Sequence, residues 1–342
     1  MKITKILVAL SFLFAISTAQ AGEMTVTGSM QATYQSEVDR TTGNPLGMDR
    51  EIKFSGSTEL DNGISMSVMQ DFGDDGSFGD AKITFGNVGG LVDIYVGTDG
   101  SEVDAIDDIT PTAFEEANGS GSGTYQDVGG LAAEMGIGFK MSVPVLGTVS
   151  GQYVPKADGA ESGDKTASAD TSASVGSGME LVVKTPLENL PIVGGFLGGN
   201  TLTVGYAEEE VSTIDDTSDR FEATAALTGS YGNFSYGYQV ESIQTGETTT
   251  GTSASDSIEY RVDSIGLAYA VNDQLSISYN IMEQRQSNET VDSSFKQETD
   301  AINIGYTVGG ITLGFQDAST DNANMSKDTK DDTRTISVKA AF

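Results

Sequence analysis

The sequence predicts an all-β chain, a transmembrane antiparallel β-barrel of about sixteen strands, on three observations. Apolar and polar residues alternate in segment after segment. The connections between segments sort into short turns and long polar loops, as at the two rims of a barrel. Beyond the N-terminal leader no apolar run is long enough for a membrane helix, a test that a barrel evades because its strands are apolar on one side only.

Residues 24–35, MTVTGSMQATYQ, show the alternation without a single charge. Met24, Val26, Gly28, Met30, Ala32 and Tyr34 share one parity, and Thr25, Thr27, Ser29, Gln31, Thr33 and Gln35 the other. Successive strand side chains point to opposite faces, so one face is apolar and one polar. Ile52, Phe54, Gly56, Thr58 and Leu60 repeat this before the turn signal Asp61-Asn62-Gly63, and Ile64, Met66 and Val68 resume it. Further hairpins follow: 81–85 with 91–98, 135–143 with 149–153, 221–227 with 234–240, 265–269 with 275–281, and 302–306 with 311–315. Short turns fall at 61–63, 86–90, 144–147, 231–233, 271–274 and 308–310. Long polar segments fall near 38–49, 72–80, 98–130, 156–177, 208–219, 243–257, 284–298 and 317–331. The long but apolar stretch 185–200 is read as a turn with an insertion. A soluble sandwich gives no reason for such sorting, and most polar parities are too rich in Lys, Glu, Thr and Gln to pack against a second sheet.

Residues 1–21, MKITKILVALSFLFAISTAQA, read as a cleaved signal peptide, leaving 22–342 as one barrel domain. Cleavage after Ala21 removes Lys2 and Lys5 from the 18 Lys+Arg and none of the 50 Asp+Glu, moving the net charge from −32 to −34. Such a field repels nucleic acid and attracts cations. With no His and no Cys, most zinc sites, thiol nucleophiles and Ser-His-Asp triads are excluded, and no enzyme activity is expected. Adjacent acids such as Glu115 and Glu116 do not define the carboxylate separation that glycoside cleavage needs. A calcium-binding β-roll or adhesin would show a short fixed repeat, and none is present.

A barrel of this size is too wide for side chains to fill and encloses an aqueous channel. The polar parity then lines water and the apolar parity faces lipid. Aromatics beside the short turns, Tyr231, Phe234, Tyr269, Tyr306 and Phe342, fit an interfacial girdle.

The chain ends TRTISVKAAF, with Ile336, Val338, Ala340 and Phe342 on one parity; this resembles the C-terminal assembly signal of outer-membrane barrel proteins. The stretch AKITFGNVGGLVDIYVGTDGSEVD looks like a strand, Gly-Asn turn, strand and loop entry of general porins of Gram-negative bacteria, closest to the alphaproteobacterial type. It departs from that pattern at Thr98, where a basic residue often follows the glycine. The resemblance implies short periplasmic turns, long extracellular loops, an outer-membrane homotrimer and passive diffusion of small hydrophilic solutes. It also implies contact with lipid, lipopolysaccharide and the barrel assembly machinery.

By that resemblance the 98–130 loop, the longest, folds into the lumen as a constriction carrying Glu102, Asp104, Asp107, Asp108, Glu115 and Glu116. Carboxylates in a narrow water path concentrate cations. Lys53, Lys82 and Lys140 on the polar parity, with Arg50 near the rim, are the candidate basic wall opposite. No cofactor is required, but Asp71, Asp74, Asp75 and Asp80, bunched with glycines, are a candidate calcium site of oxygen ligands; the acidic run at Asp328, Asp331 and Asp332 is similar. The absence of Trp leans toward general diffusion over a sugar-specific track.

Overall fold

The computed structural model describes residues 24–342 apart from 39–41, 74–77, 99–100, 120, 130–134, 156–175, 192–193, 211–218, 247, 251–252, 256 and 289–294. The leader, Asp74 and Asp75 lie outside the described residues.

In chain order the strands are β1 (Met24–Glu37), β2 (Leu46–Glu59), β3 (Ser65–Phe72), β4 (Phe78–Val88), β5 (Val92–Gly97), β6 (Gly136–Val143), β7 (Gly147–Val154), β8 (Gly178–Pro186) and β9 (Asn200–Glu209). There follow β10 (Arg220–Tyr231), β11 (Phe234–Gln244), the short pair β12 (Thr248–Thr250) and β13 (Ser253–Ser255), then β14 (Ile258–Ala270), β15 (Leu275–Asn288), β16 (Gln297–Val308), β17 (Ile311–Asp321) and β18 (Lys330–Ala341). All but β12 and β13 form one closed barrel of sixteen strands in which each pairs antiparallel with its neighbours. β1 meets β18 with Ser29 opposite Ala341 and Glu37 opposite Thr333, and Gly28 and Phe342 exchange two backbone hydrogen bonds of 3.0 Å. Closure leaves no sheet edge, the condition for a β-structure in lipid, where an unpaired N–H or C=O costs several kcal/mol.

Local chemistry sets the turns. Gly63 at φ +80° follows Asn62, whose side chain accepts the Ile64 N–H at 3.2 Å. Gly309 and Gly310 both have positive φ, as a two-residue hairpin that matches strand twist requires. The apolar parity faces outward: Met30, Tyr34 and Ile302 are 50%, 51% and 55% exposed. The inward parity is polar and largely covered from β8 to β18, with Glu222, Gln239, Asn303 and Gln316 fully buried.

Several loops differ from expectation; β2 already starts at Leu46 and β4 at Phe78, inside the loops expected at 38–49 and 72–80. Those expected at 284–298 and 317–331 are shorter, because β15 runs to Asn288, β16 starts at Gln297, β17 reaches Asp321 and β18 starts at Lys330. The tops of these strands are polar on both faces: outward Arg334 Nε lies 3.2 Å from Asp317 and Lys330 Nζ 3.0 Å from Asp321, while inward Thr320 bonds Ser122. Alternation vanishes there although pairing continues. The 243–257 loop holds the β12–β13 hairpin. The apolar 185–200 connection contains a 3-10 turn at Leu187–Asn189 and one helical turn at Gly194–Leu197.

Candidate pore constriction

Between β5 and β6 the described residues lie inside the barrel, and their course follows from the sequence. Thr98 extends the pairing of β5 by one residue, exchanging hydrogen bonds with Ala81 through its N–H and hydroxyl. Ser101 Oγ donates to Glu180 at 2.6 Å and accepts the N–H groups of Val103 and Asp104 at 3.0 Å, at the entry to the 3-10 turn Asp104–Ile106. Val103, Ile106 and Val128 then pack on inward-facing Val182, Ala207 and Ile243, a small apolar cluster within an otherwise polar lumen.

From there the loop crosses the wall on a row of inward glycines. A Cβ at Gly205 would meet the Ile106 side chain at 2.6 Å, one at Gly237 the Pro111 ring at 2.7 Å, one at Gly266 the Pro111 carbonyl at 2.5 Å, one at Gly305 the Ala113 carbonyl at 2.1 Å, and one at Gly314 the Phe114 ring at 2.3 Å. Glutamine and asparagine side chains clamp the loop backbone. Gln239 donates to Ile106 O and Asp107 O at 2.8 and 2.7 Å, Asn280 to Pro111 O at 3.0 Å and Gln316 to Glu116 O at 2.5 Å. The returning limb is held where Tyr125 donates to Thr299 Oγ1 at 2.9 Å and Gln284 accepts the Gln126 N–H at 2.6 Å. Burial keeps the Tyr125 phenol protonated, with its pKa pushed up to about 12.

The loop therefore covers the inner wall from β8 to β18 and touches the opposite arc through Glu102 on Tyr95 of β5 and Glu115 on Gln31 of β1. Asp104 and Asp108 are exposed to the lumen, whereas Asp107, Glu115 and Glu116 are half-buried. Asp107, Asp108, Glu116, Asp127 and Glu241 line a cavity of about 140 Å³. Burial, then the neighbouring Asp108 carboxylate, pushes Asp107 up to about 8. Burial and the hydrogen bond from Asp108 push Glu116 up to about 7. Asp104 and Glu115 are raised as well, chiefly by burial; a side-chain hydrogen bond from Gln31 and the Lys339 charge oppose the shift at Glu115.

Lys53, Lys82 and Lys140 occupy the inward parity of β2, β4 and β6, and Lys82 Nζ stands 5.1 Å from the centre of the Tyr95 ring. Lys184 extends the row on β8. Its strand has the plain alternation MELVVK, but the reading of the sequence gave it no role.

Two assignments need correction. Arg50 does not line the pore: it pairs with Met30 and shares the parity of Met48 and Ile52, so it points outward. Glu102 stands apart from the other loop acids; it accepts the Tyr95 hydroxyl at 2.7 Å, on the lysine side of the lumen. The glycine row was legible as glycines on strands, but nothing in a linear pattern says what crosses them.

Of the calcium candidates, Asp71 lies opposite Lys53 on β3 and Asp80 lies on β4. Among the described residues no three acidic side chains are grouped to hold a metal ion. Phe342 ends the chain beside Gly28 on the outward face, 65% exposed.

No protein-family model and no curated protein matches the sequence. Solved structures do match. A porin refined at 1.8 Å superposes with TM-score 0.63 at 13% identity, covering 94% of this chain and all of its own. An anion-selective porin from Comamonas acidovorans gives 0.62 at 13% identity, over 94% and 100% of the two chains. The trimer form of OmpT, an outer membrane protein of Vibrio cholerae, gives 0.67 at 11% identity over 94% and 100%. The chain is thus a closed sixteen-stranded antiparallel barrel with the fold of the porins.

Proposed function

We propose that the protein is an outer-membrane porin, a water-filled channel for passive diffusion of small hydrophilic solutes and ions that prefers cations and works as a homotrimer. The observation that carries this reading is the placement of the loop: an acidic segment lies across one half of a polar lumen, opposite a wall bearing Lys53, Lys82 and Lys140, with Lys184 at the margin between the two. Opposed charges across a water-filled gap orient polar solutes and disfavour apolar ones. The 50 Asp+Glu against 18 Lys+Arg set the sign of the preference. Trimer assembly is supported by the fold shared with a protein described in a trimer form. Calcium bridging by Asp71, Asp74, Asp75 and Asp80 is a further part of the reading, tested by whether calcium raises the melting temperature.

The reversal potential of the folded protein in a planar bilayer under a potassium chloride gradient tests the channel. Stepwise conductance with cation preference, weakened by Asp104→Asn with Asp108→Asn, is the expected result. Anion preference would keep the channel and remove the assignment to the loop. Absence of conductance from well-folded protein would overturn the reading.

A further inference from the structure

On the exterior a band of charge ends the apolar surface. Tyrosines mark its level, Tyr206 donating to Glu208 at 3.1 Å and Tyr279 to Asp300 at 3.0 Å. On β16 the outward residues Ile302, Ile304, Tyr306 and Val308 fill the distance from Asp300 to the short turn. On β9 only Tyr206, Val204 and Leu202 lie between Glu208 and the rim position, which is the polar Asn200. On β8 Met179, Leu181 and Val183 likewise give way to Thr185. The strands here are also short: β5 to β8 have 6, 8, 8 and 9 residues, against 11 to 14 for β14–β18. A tilted strand needs about 9–11 residues to cross a bilayer. The apolar belt is therefore thin on this side of the barrel.

Both polar rim residues are buried, and each ties down an apolar connection. The Thr185 hydroxyl donates to Leu146 O, in the β6–β7 turn, at 2.7 Å. The Asn200 amide donates to Leu197 O, at the end of the helical turn in the 187–199 connection, at 3.0 Å and accepts the Tyr236 hydroxyl at 2.8 Å. Thr185 lies opposite Leu202 and Asn200 opposite Gly229, all on the outward parity, so both connections are fastened to the exterior side of the rim. They flank one groove of about 480 Å³, with Pro144 and Val145 on one side and Asn189 on the other. What they present is apolar: Val145, Leu146 and Leu197 are exposed, and Phe196 is 90% exposed. Val145 has φ +71°, a left-handed conformation that strains a β-branched residue and that glycine would adopt freely. Residues 141–155 and 189–207 carry no charge, whereas other turns at this rim, such as Asp61-Asn62-Gly63 and Asn272-Asp273, are polar.

We propose that the connections 144–146 and 187–199 form an interfacial anchor, which seats Val145, Leu146, Phe196 and Leu197 in the phospholipid leaflet at the short-turn rim. Continuity with the lipid-facing wall favours that occupant. The anchor hangs from the outward parity beside Leu202 and Tyr236, and it carries the apolar surface past the point where the strands stop. An apolar face of this kind sinks about 5–10 Å into the boundary between headgroups and acyl chains. It supplies the apolar layer that Thr185 and Asn200 omit. The inference rests on the membrane placement proposed above and adds the segments that fix the barrel's depth on its thin side.

The chain has no Trp, so Phe196→Trp in the folded protein is a single fluorescent reporter at an exposed position. Leu267→Trp, on the outward face of β14, is the reference for lipid contact. In phosphatidylcholine vesicles with brominated acyl chains both variants are expected to lose most of their emission, and iodide in the buffer is expected to leave both largely unchanged. Suppose instead that iodide quenches Phe196→Trp and brominated lipid spares it, while Leu267→Trp still responds to the lipid. That result would overturn the anchor and leave the membrane placement standing. Protection of Phe196→Trp from both quenchers would also overturn it and give the segment to a protein neighbour. No lipid response at Leu267→Trp would bring down the membrane placement, and the anchor with it. Folding yield against acyl-chain length is the second measurement. Phe196→Ser with Leu197→Ser is expected to fold as wild type in short-chain vesicles and to lose yield as the chains lengthen, through mismatch at the thin side. Equal yields at every length would overturn the role assigned to the anchor.

Discussion

Asp107, Asp108 and Glu116 show how single residues set the charge of the lumen. Carboxyl groups of Asp107 and Glu116 are each hydrogen-bonded to Asp108, and a bond between two carboxyls needs a proton. With Asp107 at about 8 and Glu116 at about 7, the loop gains negative charge as pH rises through neutrality. Cation preference, read from the reversal potential, is therefore expected to climb from about pH 6 to about pH 9, where unperturbed carboxylates would have completed their titration near pH 5. The same shifts act on docking of the loop with the opposite sign. A carboxyl raised above its undocked value stabilises the docked loop fully below the ordinary carboxylate range and loses that contribution as pH rises through about 8. Amide hydrogen exchange at residues 105–117 should accordingly quicken over the same interval. A preference flat above pH 6 would sink the assignment of these protons.

At the scale of elements the row of glycines and the loop form one packing unit. Gly305→Val puts carbon atoms where the Ala113 carbonyl lies, 2.1 Å from the position of a Cβ, so the loop must move into the lumen. Overpacking of this kind costs about 1–3 kcal/mol. The expected result is an intact barrel by circular dichroism, a lowered melting temperature and a smaller conductance step; wild-type conductance would contradict the packing. Strand existence and facing were legible because lipid on one side and water on the other force period-two alternation, as in residues 24–35. Strand ends were not, since above the charge band both faces are wet and Asp317, Asp321 and Arg334 read as loop. Arg50 was read as a wall residue from its place near the rim, although it shares the parity of Ile52 and Phe54, which face outward. The acidic loop was visible as a long charged insertion, but Gln239, Asn280 and Gln316, which hold it, are ordinary polar-parity residues until the partner is known.

For the whole molecule, the inverted solvent preference makes adjacent residues answer to different media. Ile302 faces outward and Asn303 inward, where its amide donates to Asn280 and accepts from Gln316. Ile302→Lys should cost about 2–4 kcal/mol if that position lies near the bilayer midplane. Folding in lipid vesicles against urea would show it, and an unchanged midpoint would place Ile302 away from lipid tails. The pairing of β1 with β18 governs how such a barrel comes into being. Translation delivers the first strand some three hundred residues before its neighbour, and until Thr333–Ala341 close on Ser29–Glu37 both carry open edges that water or another chain must satisfy. Pairing of β1 with β18 thus removes both edges at once, and a barrel without β18 would present two raw edges instead of a slightly smaller ring.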